Sequence, residues 1–147
     1  MSEQKKPLNL ILLVDDDDTT NFVNTRLLAN MKVAEDIKAV RNGKEAIEFL
    51  KEACSDNPKP GSICPDLIFL DIKMPVMDGF SFLEKYKEEG LDTQDHVIIM
   101  MLTSSASFYD LERLKGFNKV KKHLSKALTE ADVREIMRTH FAHKLKN

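Results

Sequence analysis

The sequence predicts an α/β protein with a five-stranded parallel sheet that is covered by helices on both faces. Three uniformly apolar runs of strand length lie at 8–14, 66–70 and 96–102. They lack the polar alternation of a half-exposed sheet, which favours strands buried on both sides. Weaker strands are expected at 33–40 and 120–124. Helical patterns separate the strands, and right-handed strand–helix–strand units build a doubly wound sheet.

Five helices are predicted between and after these strands. The last two are expected at 108–117 and 129–141, the second opening with Thr129 as N-cap and Asp132 as its capping-box partner. The first three follow from apolar side chains spaced three and four residues apart. These are Phe22, Val23, Leu27, Leu28 and Met31, then Ala46, Ile47, Phe49, Leu50 and Ala53, then Phe80, Phe82, Leu83 and Tyr86.

Two connections have the composition of shaped loops. The segment 53–65 contains three prolines and a glycine, which favours a surface loop over a helix and over a partner contact. Its cysteines, Cys54 and Cys64, are expected to be free thiols, because their spacing is not that of metal ligands and a domain of this size needs no disulfide. Ahead of the third helix, Pro75 fixes φ and Gly79 permits unusual backbone.

Length and composition predict one domain over 1–147, with a core at about 8–142. The chain has 147 residues, 42% of them hydrophobic, which is ordinary for a globular domain. A formal net charge of -2 gives no basic excess and argues against nucleic acid as a partner. No apolar stretch approaches the roughly 18 residues of a membrane span, so a cytoplasmic protein without membrane insertion is expected.

Chemically reactive side chains follow the strong strands. Asp15 and Asp16 follow the first, Asp71 the third, Thr103 the fourth, and Lys126 comes shortly after the fifth. The carboxyl ends of parallel strands share one edge of the sheet, so these groups should meet there. Two carboxylates about 4 Å apart repel by roughly 4 kcal/mol at an effective dielectric near 20, so the cluster requires a cation. Mg²⁺ is predicted, because it prefers carboxylates together with a phosphate oxygen.

A simpler interpretation is that acids after strands only cap helices. Asp18 or Thr19 could serve as the N-cap of the first helix. Capping accounts for an isolated aspartate, but it does not explain a hydroxyl and an ammonium at matched positions on other strands.

Three motifs together resemble the receiver domain of two-component response regulators, over nearly the whole chain. They are Leu-Leu-Val-Asp-Asp-Asp at 12–17, Asp-Ile-Lys-Met-Pro-Val-Met-Asp-Gly at 71–79 and Met-Leu-Thr-Ser at 101–104. The resemblance implies the flavodoxin-like strand order 2-1-3-4-5. It is specific because all three motifs occur; any one alone would be weak.

The resemblance also implies roles for the acids. Asp71 is expected to be the phosphoacceptor, receiving a phosphoryl group from a phosphohistidine on a histidine kinase or a histidine phosphotransfer protein. Asp15 and Asp16 resemble the metal-binding acids, which hold Mg²⁺ together with Asp71. The main-chain carbonyl of Lys73, two residues beyond the acceptor, is expected to add a further ligand.

The remaining site residues include two departures from the family. Thr103 matches the switch hydroxyl and Lys126 the lysine, both of which contact the phosphoryl oxygens. The family usually has proline after that lysine, whereas this chain has Ala127, so a trans peptide bond is expected. His123 replaces the tyrosine or phenylalanine of the family's aromatic switch, which predicts a muted or pH-dependent switch.

The expected function is a phosphoacceptor switch that alters the binding of an unidentified downstream protein. Two alternatives remain open. A receiver-like module that binds without phosphorylation is favoured by Ala127 and His123 and disfavoured by the intact acids. A phosphatase with an aspartyl nucleophile would have a second acid where this chain has Lys73. The protein is therefore expected not to turn over outside substrates.

Overall fold

The computed structural model describes residues 6–74, 76–93, 96–104 and 107–145, apart from the side chain of Phe108. The five strands are β1 (Leu8–Val14), β2 (Ala34–Val40), β3 (Leu67–Leu70), β4 (Ile98–Thr103) and β5 (Val120–Ser125). The five helices are α1 (Asp18–Met31), α2 (Gly43–Ala53), α3 (Gly79–Glu88), α4 (Phe108–Leu114) and α5 (Glu130–His140). Short 3-10 turns lie at Leu91–Thr93 and Ala142–Lys144. Pro75, predicted to shape the loop before α3, lies outside the described residues.

All five strands pair in parallel in the order β2-β1-β3-β4-β5. The predicted α/β fold and its strand order are therefore confirmed. Val14 lies beside Leu70, and Leu70 beside Met101, so the central strands end at nearly the same level. The residues that follow these strands are thereby brought to one edge. The prediction of a single domain over 1–147 stays a prediction.

Both faces of the sheet are buried, which explains the uniformly apolar strand sequences. Along β3, Ile68 and Leu70 pack on one side and Leu67 and Phe69 on the other. The first side is covered mainly by α2 and α3, and the second mainly by α1 and α5. The covering residues include Ile47, Leu50, Phe82 and Leu83 on the first side and Leu28, Val133, Ile136 and Met137 on the second.

Helix α1 packs on the sheet with the predicted Leu27, Leu28 and Met31, but two of the predicted residues lie outside this face. Phe22 is 62% exposed and Val23 is 44% exposed, whereas the buried positions are Asn21, Asn24 and Leu28. The apolar pattern wrongly included Phe22 and Val23, because it gives no weight to the hydrogen bonds that the two asparagines form on the inner side.

Helix caps were predicted correctly for α5 and incorrectly for α1. Thr129 and Asp132 form the expected reciprocal capping box, with two hydrogen bonds of 3.1 Å. The N-cap of α1 is Asp17, whose side chain accepts from the Thr19 amide at 3.0 Å. Asp18 is already the first helical residue, so neither it nor Thr19 takes the predicted role.

The prediction of free thiols was wrong, because Cys54 and Cys64 form a disulfide with an S–S distance of 2.05 Å. Cys54 directly follows α2, and the proline-containing loop returns to bring the two Cα atoms to 4.7 Å, within the range that a disulfide spans. Composition and domain size, on which the expectation was based, carry no information on that distance. The prediction of a loop in this segment is confirmed.

Lys32, the C-cap of α1, has a left-handed backbone, with φ 56° and ψ 42°. This conformation penalises residues with a Cβ atom and suits glycine. We expect Lys32→Gly to raise the free energy of unfolding by about 0.5 kcal/mol, after subtraction of the cost of the greater conformational entropy that glycine gives the unfolded chain. Chemical denaturation measures the change. Lys32→Ala removes the same side chain without relieving the backbone, and an equal gain in that variant would contradict the expectation.

Candidate functional site

Asp15 and Asp71 are positioned by main-chain hydrogen bonds that extend the sheet one residue beyond β1 and β3. The Asp15 amide donates to the Val40 carbonyl at 3.1 Å, and the Asp71 amide donates to the Val14 carbonyl at 3.0 Å. Both aspartates are buried. The two carboxylates are therefore fixed by the most regular part of the fold.

Three carboxylates converge at this edge, as the order of the strands predicted. One oxygen atom from each of Asp15, Asp16 and Asp71 lies within 4.8 Å of the other two. Asp15 also accepts a hydrogen bond from the Asp17 amide at 2.9 Å, which orients its side chain. Oxygen ligands in such a group suit a hard divalent cation, so the residues present fit Mg²⁺.

Lys126 contacts two of the three acids. Its Nζ lies 2.8 Å from Asp15 Oδ2 and 3.0 Å from Asp71 Oδ2, and its side chain is only 16% exposed. Its main-chain amide donates to the Thr103 carbonyl at 3.2 Å, which ties the end of β5 to the end of β4. The ammonium therefore lies inside the acidic cluster.

Burial and hydrogen bonding shift the pKa values of Asp15 and Lys126. Burial raises the pKa of Asp15, the repulsion from Asp71 adds to this, and the bond from Lys126 offsets part of it. Burial disfavours the charge on Lys126, but its bonds to Asp15 and Asp71 outweigh that effect and raise its pKa. Lys126 therefore stays charged at neutral pH and can partner a further anion.

The peptide bond between Lys126 and Ala127 is cis, so the expectation of a trans bond was wrong. That expectation applied the preference of an unconstrained peptide. The segment is held at both ends, because the Lys126 amide bonds to Thr103 and the Leu128 amide donates to Asn24 Oδ1 at 3.3 Å. These contacts come from distant parts of the chain.

Gly79, the first residue of α3, lies directly against the main chain of Asp71 and Ile72. Its amide donates to the Ile72 carbonyl at 2.7 Å. A Cβ atom at this position would lie 2.5 Å from the Asp71 carbonyl oxygen and 2.9 Å from Ile72 Cα. Gly79 is therefore required for space, whereas the sequence interpretation assigned it an unusual backbone. Asp78 caps the same helix by accepting from the Ser81 amide at 2.8 Å.

Three other predicted site residues lie near this edge, and their roles stay predictions. Thr103 is the buried last residue of β4 and pairs with Ser125. His123 is half-buried on β5. Lys73 is exposed two residues after Asp71.

Asn21 and Asn24 were missed as site residues. The Asn21 amide nitrogen Nδ2 donates to the Asp15 carbonyl at 2.9 Å, while Asn24 accepts from the Leu128 amide. They are three residues apart in the first helix after the acidic motif and share its inner side with Leu28. Polar side chains at that spacing were the available signal.

Within the described ranges, no helix is both long enough and apolar enough to cross a bilayer. The cytoplasmic location predicted from the sequence stays a prediction.

Comparison with known proteins gives one consistent family. A family model described as the response regulator receiver domain matches residues 11–138. The hybrid signal transduction histidine kinase L of Dictyostelium discoideum is 30% identical over 142 residues, covering 94% of this chain. The chain spans only 8% of the length of that kinase.

Solved structures share the fold along most of the chain. The two-component response regulator from Cytophaga hutchinsonii superposes with a TM-score of 0.80 at 26% identity, covering 95% of this chain and 99% of that one. The receiver domain of the histidine kinase CKI1 from Arabidopsis thaliana, complexed with Mg²⁺ and BeF₃⁻, superposes with a TM-score of 0.73 at 23% identity. The match covers 89% of this chain and 91% of that one. Because the family model spans most of the sequence and the strand order agrees, this chain belongs to the response regulator receiver domain family.

Proposed function

We propose that this chain is a phosphoacceptor switch in which Asp71 receives a phosphoryl group from a phosphohistidine in a Mg²⁺-dependent step. Receiver domains of this family belong to two-component and phosphorelay systems. The observation that carries the proposal is the contact of Asp71 with a partly buried ammonium inside a three-carboxylate cluster. The expected donors are a histidine kinase or a histidine phosphotransfer protein.

The proposed step is a direct transfer between two side chains. A carboxylate oxygen of Asp71 attacks phosphorus, and the new P–O bond forms as the P–N bond to the donor imidazole breaks. The imidazole nitrogen keeps the electron pair and takes a proton from solvent water. Lys126, which already contacts Asp71 at 3.0 Å, pairs with the phosphoryl oxygens, and the Thr103 hydroxyl donates to them.

Asp15, Asp16 and Asp71, together with the Lys73 carbonyl, are the proposed holders of Mg²⁺. When bound, Mg²⁺ would neutralise the carboxylates and polarise the phosphoryl group. The Mg²⁺ and BeF₃⁻ held by the CKI1 receiver domain support this assignment.

The signal is a change in partner binding. A phosphoryl group adds about -1.5 to -2 charges and three strong acceptors, which draw a hydroxyl and an ammonium inward. Shifting a two-state equilibrium from 1:99 to 99:1 requires about 5.5 kcal/mol of differential stabilisation. The proposed contacts of Thr103 and Lys126 with the phosphoryl group would contribute a free energy of that order. His123 is the proposed aromatic element of the switch, and the downstream target is a protein.

The chain is proposed to catalyse only its own phosphorylation and dephosphorylation. Lys73 occupies the position at which an aspartyl phosphatase would place its second acid. The position two residues after Asp71 therefore carries an ammonium in place of the carboxylic acid that would protonate the leaving group of an unrelated ester.

Intact-protein mass spectrometry after incubation with Mg²⁺ and phosphoramidate tests the proposal. We expect wild type to gain one phosphoryl group and Asp71→Asn to gain none. Asp66→Asn is the matched control, because Asp66 is a buried aspartate immediately before β3. It should still gain the group, and addition of a chelator should prevent the gain in both proteins.

Other outcomes select the rival functions. Equal labelling of Asp71→Asn would contradict the assignment of the acceptor. No labelling of wild type at saturating Mg²⁺ would favour a module that binds without phosphorylation. Sustained hydrolysis of unrelated phosphoesters by wild type would favour a phosphatase.

A further inference from the structure

Helix α1 buries two amide side chains directly behind the acidic cluster. Asn24 is 2% exposed and Asn21 is 7% exposed, although the apolar Phe22 and Val23 on the same helix face solvent. A buried amide is unfavourable unless hydrogen bonds compensate its loss of water. The partners of these two side chains therefore indicate why polar residues occupy the inner side of the helix.

Asn21 fixes the main chain of Asp15. Its Nδ2 donates to the Asp15 carbonyl oxygen at 2.9 Å, and the carboxylate of the same aspartate lies 2.8 Å from Lys126 Nζ. Asn21 Oδ1 is buried and has no hydrogen-bond partner among the described residues. The single bond to Asp15 is thus the polar contact that the buried amide makes beyond its own helix.

Asn24 fixes the chain that follows Lys126. Its Oδ1 accepts from the Leu128 amide at 3.3 Å, across 104 residues of sequence. Lysine has a flexible four-carbon stem, so the position of its ammonium depends on where the main chain holds its Cα atom. The bond to Leu128 fixes the chain two residues beyond that atom.

We infer that Asn21 and Asn24 are positioning residues of the phosphorylation site, Asn21 for the acid Asp15 and Asn24 for Lys126. The inference rests on the proposed function. The hydrogen bonds of both side chains go to main-chain atoms, the Asp15 carbonyl and the Leu128 amide, so both side chains act through the main chain. One helix thereby holds both members of the Asp15–Lys126 ion pair.

The two asparagines act on different partners, so their removal should have different effects. Asp15 belongs to the metal-binding acids, and loss of a group that orients such a ligand lowers metal affinity by about tenfold or more. Lys126 is proposed to act on the phosphoryl group, and its displacement should slow transfer by about tenfold even when the metal site is saturated.

Asn21→Leu and Asn24→Leu test this separation, because leucine has the same number and branching of side-chain heavy atoms as asparagine and lacks its polar atoms. Calorimetry of Mg²⁺ binding and the phosphorylation rate with phosphoramidate at saturating Mg²⁺ are measured for each. We expect Asn21→Leu to raise the Mg²⁺ Kd about tenfold with little change in the saturating rate. Asn24→Leu should lower that rate about tenfold with little change in Kd.

Leu28→Ala is the matched control, since Leu28 lies on the same buried side of α1 and contributes only packing. It should lower the denaturation midpoint while leaving both the Kd and the saturating rate unchanged. The inference is overturned if the asparagine variants behave like this control, or if both variants change Kd and rate together.

Amide hydrogen–deuterium exchange is the second measurement, and it decides the role of Asn24 when a leucine variant does not fold. In wild type, the Leu128 amide should exchange slowly with deuterium, and Asn24→Ala should accelerate that exchange more than Leu28→Ala does. Rapid exchange in wild type would overturn the role of Asn24. If wild type takes up no phosphoryl group, the proposed function fails, whereas the Mg²⁺ titrations and the exchange of Leu128 still decide the positioning roles.

Discussion

Lys126→Met is expected to lower the free energy of unfolding of the metal-free protein by about 3 kcal/mol. The substitution keeps much of the length of the side chain and removes its charge. Asp15 and Asp71 are then left buried close together without the ammonium that lies 2.8 and 3.0 Å from them. Removing one partner of a buried ion pair costs about 3–5 kcal/mol, and the lower end applies because Lys126 keeps some exposure.

The loss should depend on Mg²⁺ and on pH. Added Mg²⁺ binds the folded variant and restores part of the stability by mass action. In the variant, the folded-state pKa of Asp15 lies further above its ordinary value, because the Lys126 hydrogen bond that lowers it is gone. Ionisation of Asp15 then opposes folding, so the deficit grows as pH rises through that folded-state pKa and shrinks below it.

These effects are measured by urea denaturation in the presence of a chelator, in the presence of Mg²⁺, and over a series of acidic pH values. Lys122→Met is the matched control, because Lys122 lies on β5 in an exposed ion pair with Glu135 at 3.3 Å. Such exposed pairs contribute less than about 1 kcal/mol. Equal losses for the two lysine variants would show that the charge cluster does not require Lys126.

The parts of this site that sequence predicted are those fixed by strand geometry. Asp15 and Asp71 could be placed together because each follows an apolar run, and the ends of parallel strands must meet at one edge. The same rule places Lys126 at this edge, since it comes directly after β5. These inferences need only the apolar runs, which locate the ends of the strands, and the parallel direction of the strands.

The parts that sequence did not predict depend on distances between segments that are remote or irregular. Cys54 and Cys64 meet because a loop turns back on α2, and Asn24 faces inward because the Leu128 amide lies opposite it. The cis peptide bond after Lys126 is another feature that the sequence did not predict. Hydrophobic periodicity ranks side chains by polarity, so it cannot identify a polar residue that is buried by its hydrogen bond.

Gly79→Ala is expected to destabilise the protein by about 3 kcal/mol and to slow phosphorylation of Asp71 by about tenfold or more. The added methyl group would lie 2.5 Å from the Asp71 carbonyl oxygen and 2.9 Å from Ile72 Cα. Both are main-chain atoms, so a side-chain rotation cannot relieve the overlap. Because the Gly79 amide is hydrogen-bonded to the Ile72 carbonyl, we expect the main chain of Asp71 and Ile72 to move with α3 and to displace Asp71 from Lys126.

Gly116→Ala separates this steric effect from the general consequence of replacing glycine. The nearest atom to a Cβ at Gly116 is the Arg113 carbonyl oxygen at 3.6 Å, an ordinary contact, so stability should change by less than about 0.5 kcal/mol. Denaturation and phosphorylation rates are measured for both variants. If Gly79→Ala retained the stability and rate of Gly116→Ala, the close approach of α3 to the acceptor segment would not constrain Asp71. A loss of stability with an unchanged rate would place the strain in α3 alone, whereas parallel losses show that the helix and the acceptor share one rigid contact.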